Sequence, residues 1–235
     1  MASNVVLAVG AHHDDIEFTS SGTVAKLIQQ GATVYYLILT DGSKGTEDLS
    51  LSADKLTEIR IKEQQKAAQV LGVKQVFFLS HVDGELQNTP DLKKEIVRII
   101  RTLKPNTVIC WDPTFVYDLE WGFINHSDHR VSGQATLDAV FPFARNARTF
   151  PELLEEEDLK PHSVMEILMI NMVNQNYFVD ITDVFDTKLK ALKCHTSQFK
   201  DFAIPKALVT ERAKIIGKKA GYPLAEGFLR IKMRS

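Results

Sequence analysis

Two short clusters hold most of the chemistry that this sequence can perform. Ala11-His12-His13-Asp14-Asp15-Ile16-Glu17 places five ionisable side chains within six residues, and His126-Ser127-Asp128-His129-Arg130 adds four more. Imidazole nitrogens and carboxylate oxygens are the donors taken by zinc and similar divalent ions. Three protein ligands plus a position open to water make a catalytic site, whereas a structural site is closed. A lone histidine beside a strand end is usually core or surface decoration. The clusters form a site only if the fold brings them together.

The elements that flank them can be read from pattern. Val5 to Gly10 is an apolar run of the kind that forms a strand buried on both faces. A helix capped by Ser20 or Ser21 follows and stops at Gly31, and Thr33 to Leu39 is a second strand. The polar stretch Thr40 to Ser52 is long for a connection, and long loops after strands often carry function. A helix over Ala53–Leu71 ends at Gly72, Val76 to Leu79 is strand three, and Thr89-Pro90 opens the next helix. Thr107 to Trp111 is strand four. A further helix runs from about Asp128 to Phe141, and Val164–Asn171 and Tyr177–Thr182 read as an antiparallel pair at the sheet edge. A helix over Thr210–Lys219 and a strand over Phe228–Met233 complete the chain, and the acidic run Glu155 to Asp158 reads as solvated surface.

Strands joined by helical crossovers predict a mostly parallel sheet with helices on both faces. The expectation is an α/β, Rossmann-like single domain over residues 1–235, strand order 3-2-1-4-5, with a small C-terminal β/α elaboration. In that order strands one and four are neighbours at the switch point, where ligands bind outside the carboxyl ends. Topology would then unite clusters that lie more than a hundred residues apart.

Composition narrows the partners. Lys plus Arg number 28 and Asp plus Glu 30, a net charge of −2, so a fold-wide basic field for nucleic acid is not expected. The two cysteines, Cys110 and Cys194, form no CxxC pattern and suit a reducing compartment. No apolar run has the length of a membrane span, and no basic segment precedes the first strand, so a soluble, cytoplasmic protein is expected.

Ala11-His12-x-Asp14-Asp15-x-Glu17 with His126-x-Asp128-His129 resembles the LmbE-like (PIG-L) zinc-dependent N-deacetylases. Arg60-x-x-Glu63, Asp83-Gly84-x-Leu86 and His195-x-Ser197-Gln198 extend the resemblance. The chain departs from the family at His13 and Ser127, where proline is usual. Carried over residue by residue, the resemblance implies that His12, Asp15 and His129 bind zinc, or another divalent ion. Asp14 would be the general base, His126 an imidazolium facing the oxyanion or a proton donor, and Asp128 the group that orients His126 and raises its pKa. Asp14 and Asp128 can equally cap the helices that follow them. Arg60 would reach substrate, its alternative being a pair with Glu63. Asp83 would meet a sugar hydroxyl or simply form a turn, and His195 would complete the pocket or cap a helix. Glu17 would support the ligand loop, and Trp111, Tyr117, Trp121 and Phe123 are candidates to stack on a sugar face.

The implied reaction removes the N-acetyl group from an N-acetylglucosamine-type substrate, and relatives of this kind often form closed homo-oligomers. One rival is a nucleotide-binding domain, but Gly10-Ala11-His12-His13-Asp14 lacks GxGxxG and puts carboxylates where a pyrophosphate would sit. A second is a catalytically silent sugar- or metal-binding relative, against which Asp14 stands, since such a protein needs no base.

Overall fold

The central strand explains the architecture. In the computed structural model, which describes residues 4–234, β1 (Val5–Gly10) alternates Val6 and Ala8 toward one apolar cluster and Leu7 and Val9 toward another. Both faces are therefore covered, as a parallel strand requires. After it come α1 (Asp15–Thr19), α2 (Ser21–Gln29), β2 (Thr33–Thr40), α3 (Ala53–Leu71), β3 (Gln75–His81), α4 (Pro90–Leu103) and β4 (Thr107–Trp111). A two-stranded hairpin, β5 (Tyr117–Asp118) and β6 (Phe123–Ile124), leads into α5 (Ser127–Asp138) and α6 (Pro151–Glu155). The chain ends with β7 (Glu166–Ile170), β8 (Tyr177–Asp180), α7 (Phe185–Leu192), α8 (Ala203–Ala220) and β9 (Ala225–Lys232). No helix among the described residues is long and apolar enough to cross a membrane.

Local chemistry sets the boundaries. Ser52 caps α3 by accepting from the Lys55 N–H, and Gly72 ends it with φ 84°. Thr89 caps α4 by accepting from the Leu92 N–H, with Pro90 in the first turn. α8 begins seven residues earlier than the pattern suggests. Pro205 sits in its first turn, where no intrahelical N–H is needed, so proline starts this helix rather than excluding it. α5 ends at Asp138, short of Phe141, in a wide turn over Ala139–Phe143 that contains Pro142. α6 was not expected, and its last residue is Glu155 of the acidic run.

The sheet runs β3-β2-β1-β4-β7-β9-β8 and is parallel from β3 through β7. The order 3-2-1-4-5 describes those five strands, and β9 and β8 extend it. The predicted antiparallel pairing of Val164–Asn171 with Tyr177–Thr182 does not occur: β9 lies between them. Its second half, Leu229–Lys232, pairs with Glu166–Met169 of β7, and its first half, Ala225–Phe228, pairs with Tyr177–Asp180 of β8. β7 is buried along most of its length and needs a covered neighbour, which the half-exposed β8 does not provide. β9 brings Ala225, Glu226 and Phe228, all buried.

The carboxyl ends of β1, β3 and β4 open on the same edge, and α5 packs against β4 beside them. That packing is close: a Cβ added to Gly133 would fall 2.3 Å from the Trp111 carbonyl oxygen. Gly133→Ala must push α5 off the sheet, and we expect it to lower stability by about 1–3 kcal/mol, read from the urea midpoint with the slope unchanged.

Candidate active site

Asp15 organises the turn after β1. Its Oδ2 accepts from the Ala11 N–H at 2.8 Å, the His12 N–H at 3.0 Å and the Trp111 indole N–H at 3.2 Å. The other oxygen is left to face His129 Nε2 at 3.0 Å and His12 Nδ1 at 3.8 Å. The two imidazole nitrogens are 3.3 Å apart. A tetrahedral zinc with ligands at about 2.0–2.1 Å has edges of about 3.3 Å, so these three atoms fit one face of such a polyhedron.

Both histidines have their remaining nitrogens engaged. His129 Nδ1 is 2.8 Å from Asn125 Oδ1; donating there, it turns the Nε2 lone pair toward the cluster. Asn125 is itself buried and held by donating to the Phe115 carbonyl at 2.8 Å. The Trp111 indole stacks on the His129 ring, with centroids 4.1 Å apart. His12 Nε2 lies 3.2 Å from both Asp128 Oδ2 and Asp83 Oδ1. Burial opposes a charge on His12, but hydrogen bonds to Asp128, Asp15 and Asp83 outweigh it and push the imidazole up to about 12. Asp15 and Asp83 respond in the other direction. Burial works against their charge, yet His129 and His12 hold Asp15 well below the usual carboxylate range, and His12 brings Asp83 to about 2. Carboxylates of Asp15, Asp83 and Asp128 around His12 favour positive charge in this pocket.

Asp128 does not orient His126. Its oxygens accept from the Gly84 N–H at 2.7 Å and the Leu86 N–H at 3.3 Å, besides meeting His12. His126 is the residue that caps α5, its Nδ1 accepting from the Asp128 N–H at 3.1 Å. The helix-capping alternative for Asp128 falls with this, and so does the imidazolium at His126. Burial, helped by His12 and His129, lowers the His126 pKa, and an accepting Nδ1 leaves the proton on Nε2. A second possible ligand set, His12, His126 and Asp128, has its atoms committed in these ways and is the poorer one.

Asp14 stands at the N-cap position of α1 but makes no capping hydrogen bond. Its backbone has φ 91°, a left-handed conformation that costs a non-glycine residue about 1–3 kcal/mol. Its N–H is received by Gln64 Oε1 at 3.1 Å, and Gln64 in turn donates to Glu17 Oε2 at 3.1 Å. Burial raises the Asp14 carboxyl to about 6. His195 completes this chain from behind, 3.2 Å from Glu17 Oε2. It is fully buried and is not among the walls of the cavity over the cluster, so in this structure it stands behind the site and does not face substrate. Gln64 and Asn125 carry no motif of their own, and helix spacing alone would not single them out.

Arg60 is buried against the 42–45 loop, donating to the Gly42 carbonyl at 3.0 Å and to Gln198 Oε1. A Cβ at Gly45 would fall 2.5 Å from its guanidinium. Its predicted alternative partner, Glu63, is occupied by Thr196 and by the N–H and hydroxyl of Ser197. His13 joins neither ligand set; its ring is buried and stacks on Phe78 at 5.5 Å. A cavity of about 890 Å³ opens over the cluster, with His12, Asp14, Asp15, Arg60, Asp83, Trp111, His126 and His129 among its walls and Tyr117, Trp121 and Phe123 at its rim.

Residues 7–140 match the family described as PIG-L, GlcNAc-PI de-N-acetylase. The diacetylchitobiose deacetylase of Thermococcus kodakarensis is 36% identical over 224 residues, covering 94% of this chain and 81% of that protein. The chain belongs to the PIG-L family. Another relative, from Bacillus anthracis, is a probable N-acetyl-α-D-glucosaminyl L-malate deacetylase, 28% identical over 83% of this chain and 81% of its own length. The solved structure of the N,N′-diacetylchitobiose deacetylase of Pyrococcus horikoshii, complexed with an inhibitor, superposes with a TM-score of 0.90. It is 33% identical, and the match covers 98% of this chain and 85% of that one. The match to the PIG-L family spans every residue of the cluster, from His12 to His129.

Losing the Asn125 carbonyl should free the His129 ring to rotate. If the cluster holds a divalent metal, Asn125→Ala is expected to weaken its binding about 10- to 100-fold, measured by competition with a chromophoric chelator.

Proposed function

We propose that this protein hydrolyses the acetamide of an N-acetylglucosamine-type amino sugar in a metal-dependent reaction, with zinc bound by His12, Asp15 and His129. The observation that carries the reading is the meeting of His12 Nδ1, Asp15 Oδ1 and His129 Nε2, 3.0–3.8 Å apart, in a cavity that also holds Asp14 and His126. Two nitrogens and one oxygen suit zinc over the harder ions, which prefer oxygen alone. Bound there, a divalent ion would polarise the acetamide carbonyl and lower the pKa of water to about 7.

Asp14 is the general base in this scheme. It takes a proton from the attacking water as the new C–O bond forms, and returns it to the nitrogen as the C–N bond breaks. Acetate and a free amine leave. A carboxyl raised by burial toward neutrality suits both transfers. His126, protonated on Nε2, donates to the acetamide oxygen as negative charge builds on it. Asp128 and Asp83 hold His12 in the tautomer that leaves Nδ1 free, and Asp83 shares the cavity wall with Arg60 as a contact for sugar oxygens.

The family description and the names of the relatives support the glucosamine unit as the substrate class. The nucleotide-binding reading loses ground because three carboxylates, Asp14, Asp15 and Asp83, occupy the crevice where a pyrophosphate would sit. Two free buried cysteines, Cys110 and Cys194, suit a cytoplasmic setting.

Two measurements test the scheme. Asp14→Asn should keep its zinc, by elemental analysis, while kcat for amine release falls at least about a hundredfold; near-normal turnover would remove Asp14 from the role. Dialysis against a chelator should abolish amine release from N-acetylglucosaminides, and one equivalent of zinc should restore it. Activity that survives complete metal removal would overturn the reading.

A further inference from the structure

The cavity continues past the histidine cluster to a wall that the reaction above does not use. α8 contributes Leu208, Arg212, Ile215, Ile216 and Lys219 to it, positions that form one stripe of a helix. The stripe is apolar apart from its two cations. Arg212 is half-buried, and among the described residues its guanidinium finds a side-chain partner only in the Met172 thioether, a weak acceptor.

The two acids whose charge acts on Arg212, Asp118 and Glu226, have hydrogen-bond partners of their own. Asp118 Oδ1 accepts from the Glu120 and Trp121 N–H groups. Glu226 accepts from the Gly22 and Thr23 N–H groups and from Lys188. Burial pushes Arg212 down to about 10, with Asp118 and Glu226 offsetting it in part. Arg101 of α4, fully buried, shows what a structural role looks like: it donates to the carbonyls of Phe143, Ala144, Asn146 and Thr149. Arg98 and Arg230 are paired with Glu157 and Glu166. Arg212 is a partly desolvated guanidinium on the cavity wall, with no ion pair to a carboxylate among the described residues.

We propose that Arg212, with Lys219 two turns along the same helix face, forms an anion subsite for a carboxylate or phosphate on the group attached to the acetylated sugar. The apolar side chains around it would cover the carbon frame that links the anion to the sugar. This deepens the hydrolytic reading and rests on it for the placement of the sugar. The preferred substrates are therefore anionic N-acetylglucosaminides, and neutral ones are handled less well.

Binding and chemistry are read separately so that the two ideas can fail independently. Calorimetric titration of the Asp14→Asn protein compares 4-carboxyphenyl with phenyl N-acetyl-β-glucosaminide, and N-acetylglucosamine 1-phosphate with the methyl glycoside. Acetate release from the same four compounds is followed with the unaltered protein. An anion in either pair should tighten binding at least about tenfold, the scale of a hydrogen bond to a charged group, and the pair with the larger effect tells carboxylate from phosphate. Added to either background, Arg212→Met should bring the anionic-to-neutral ratio to about one, while Arg212→Lys, which keeps the charge and loses the fork, should retain part of it. Equal binding of the anionic and neutral members of both pairs, binding of none of the four, or a ratio unmoved by Arg212→Met in a folded protein would overturn the subsite. An anion-dependent affinity without acetate release would instead leave the subsite standing and reject the hydrolytic reading.

Discussion

A single carboxylate, Asp15, is the constraint on which the site depends. It is buried at the carboxyl end of the central strand, where an ionised group is tolerated only if it is fully hydrogen-bonded or paired. Three N–H donors converge on Oδ2, and two of them belong to the turn itself. The third comes from Trp111 at the end of β4, so the same oxygen ties together the two strands whose loops hold the ligands. With that oxygen spent on N–H donors, the other is left as an acceptor facing His12 and His129. Replacing Asp15 by an amide would put an NH₂ among donors or among ligand atoms, and either arrangement leaves buried polar groups facing the wrong partner.

From Asp15 outward, each residue is fixed by a second that has no chemistry to perform. Asn125 sets the His129 ring, Asp128 and Asp83 set His12, and Gln64 receives the N–H of the strained Asp14. The strain and the supports belong together. A left-handed aspartate persists only if its surroundings over-determine it, and Gln64 is locked by Glu17, which His195 meets from the far side. His195 thus acts on the site through two intervening side chains rather than by touching substrate. The buried Lys188 reinforces the same turn. It donates to the carbonyls of Glu17 and Phe18 and to Glu226, whose carboxylate also receives the first N–H groups of α2. A bound anion at a helix N-terminus is favourable, and here it pins α2, α7 and β9 to one another behind the catalytic loop.

The clusters and the order of the first five strands were legible because periodicity and strand-end position are local signals. Topology foretold that the two clusters would meet, since β1 and β4 are neighbours, whereas His12, Asp15 and His129 were singled out as a ligand set by the family resemblance. What escaped depended on rotamers or on distant partners. Nothing in His126-Ser127-Asp128 says which of the two acidic and basic groups turns back to cap α5, and the structure gives that task to His126. Asn125 and Gln64 look like ordinary polar residues until their donors are seen. The position of β9 between β7 and β8 also has no local signature, because its pairing is decided by burial of β7 against a strand more than fifty residues away in sequence.

The division of the chain follows from the same physics. The residues of the metal cluster lie within 7–140, on loops at the ends of strands whose two faces are packed, and their geometry has little freedom to vary. The opposite wall of the cavity comes largely from the β5–β6 hairpin and from α8, where exposed Leu119, Trp121, Phe123 and Leu208 border open space. Changes at the exposed side chains of α8 alter the shape and charge of the wall at a distance from the hydrogen bonds that hold Asp15, His12 and His129, whereas the hairpin runs directly into Asn125, which sets His129. A hydrolytic centre held by its own hydrogen bonds can in this way be fitted to different acetylated sugars by changes in the exposed wall.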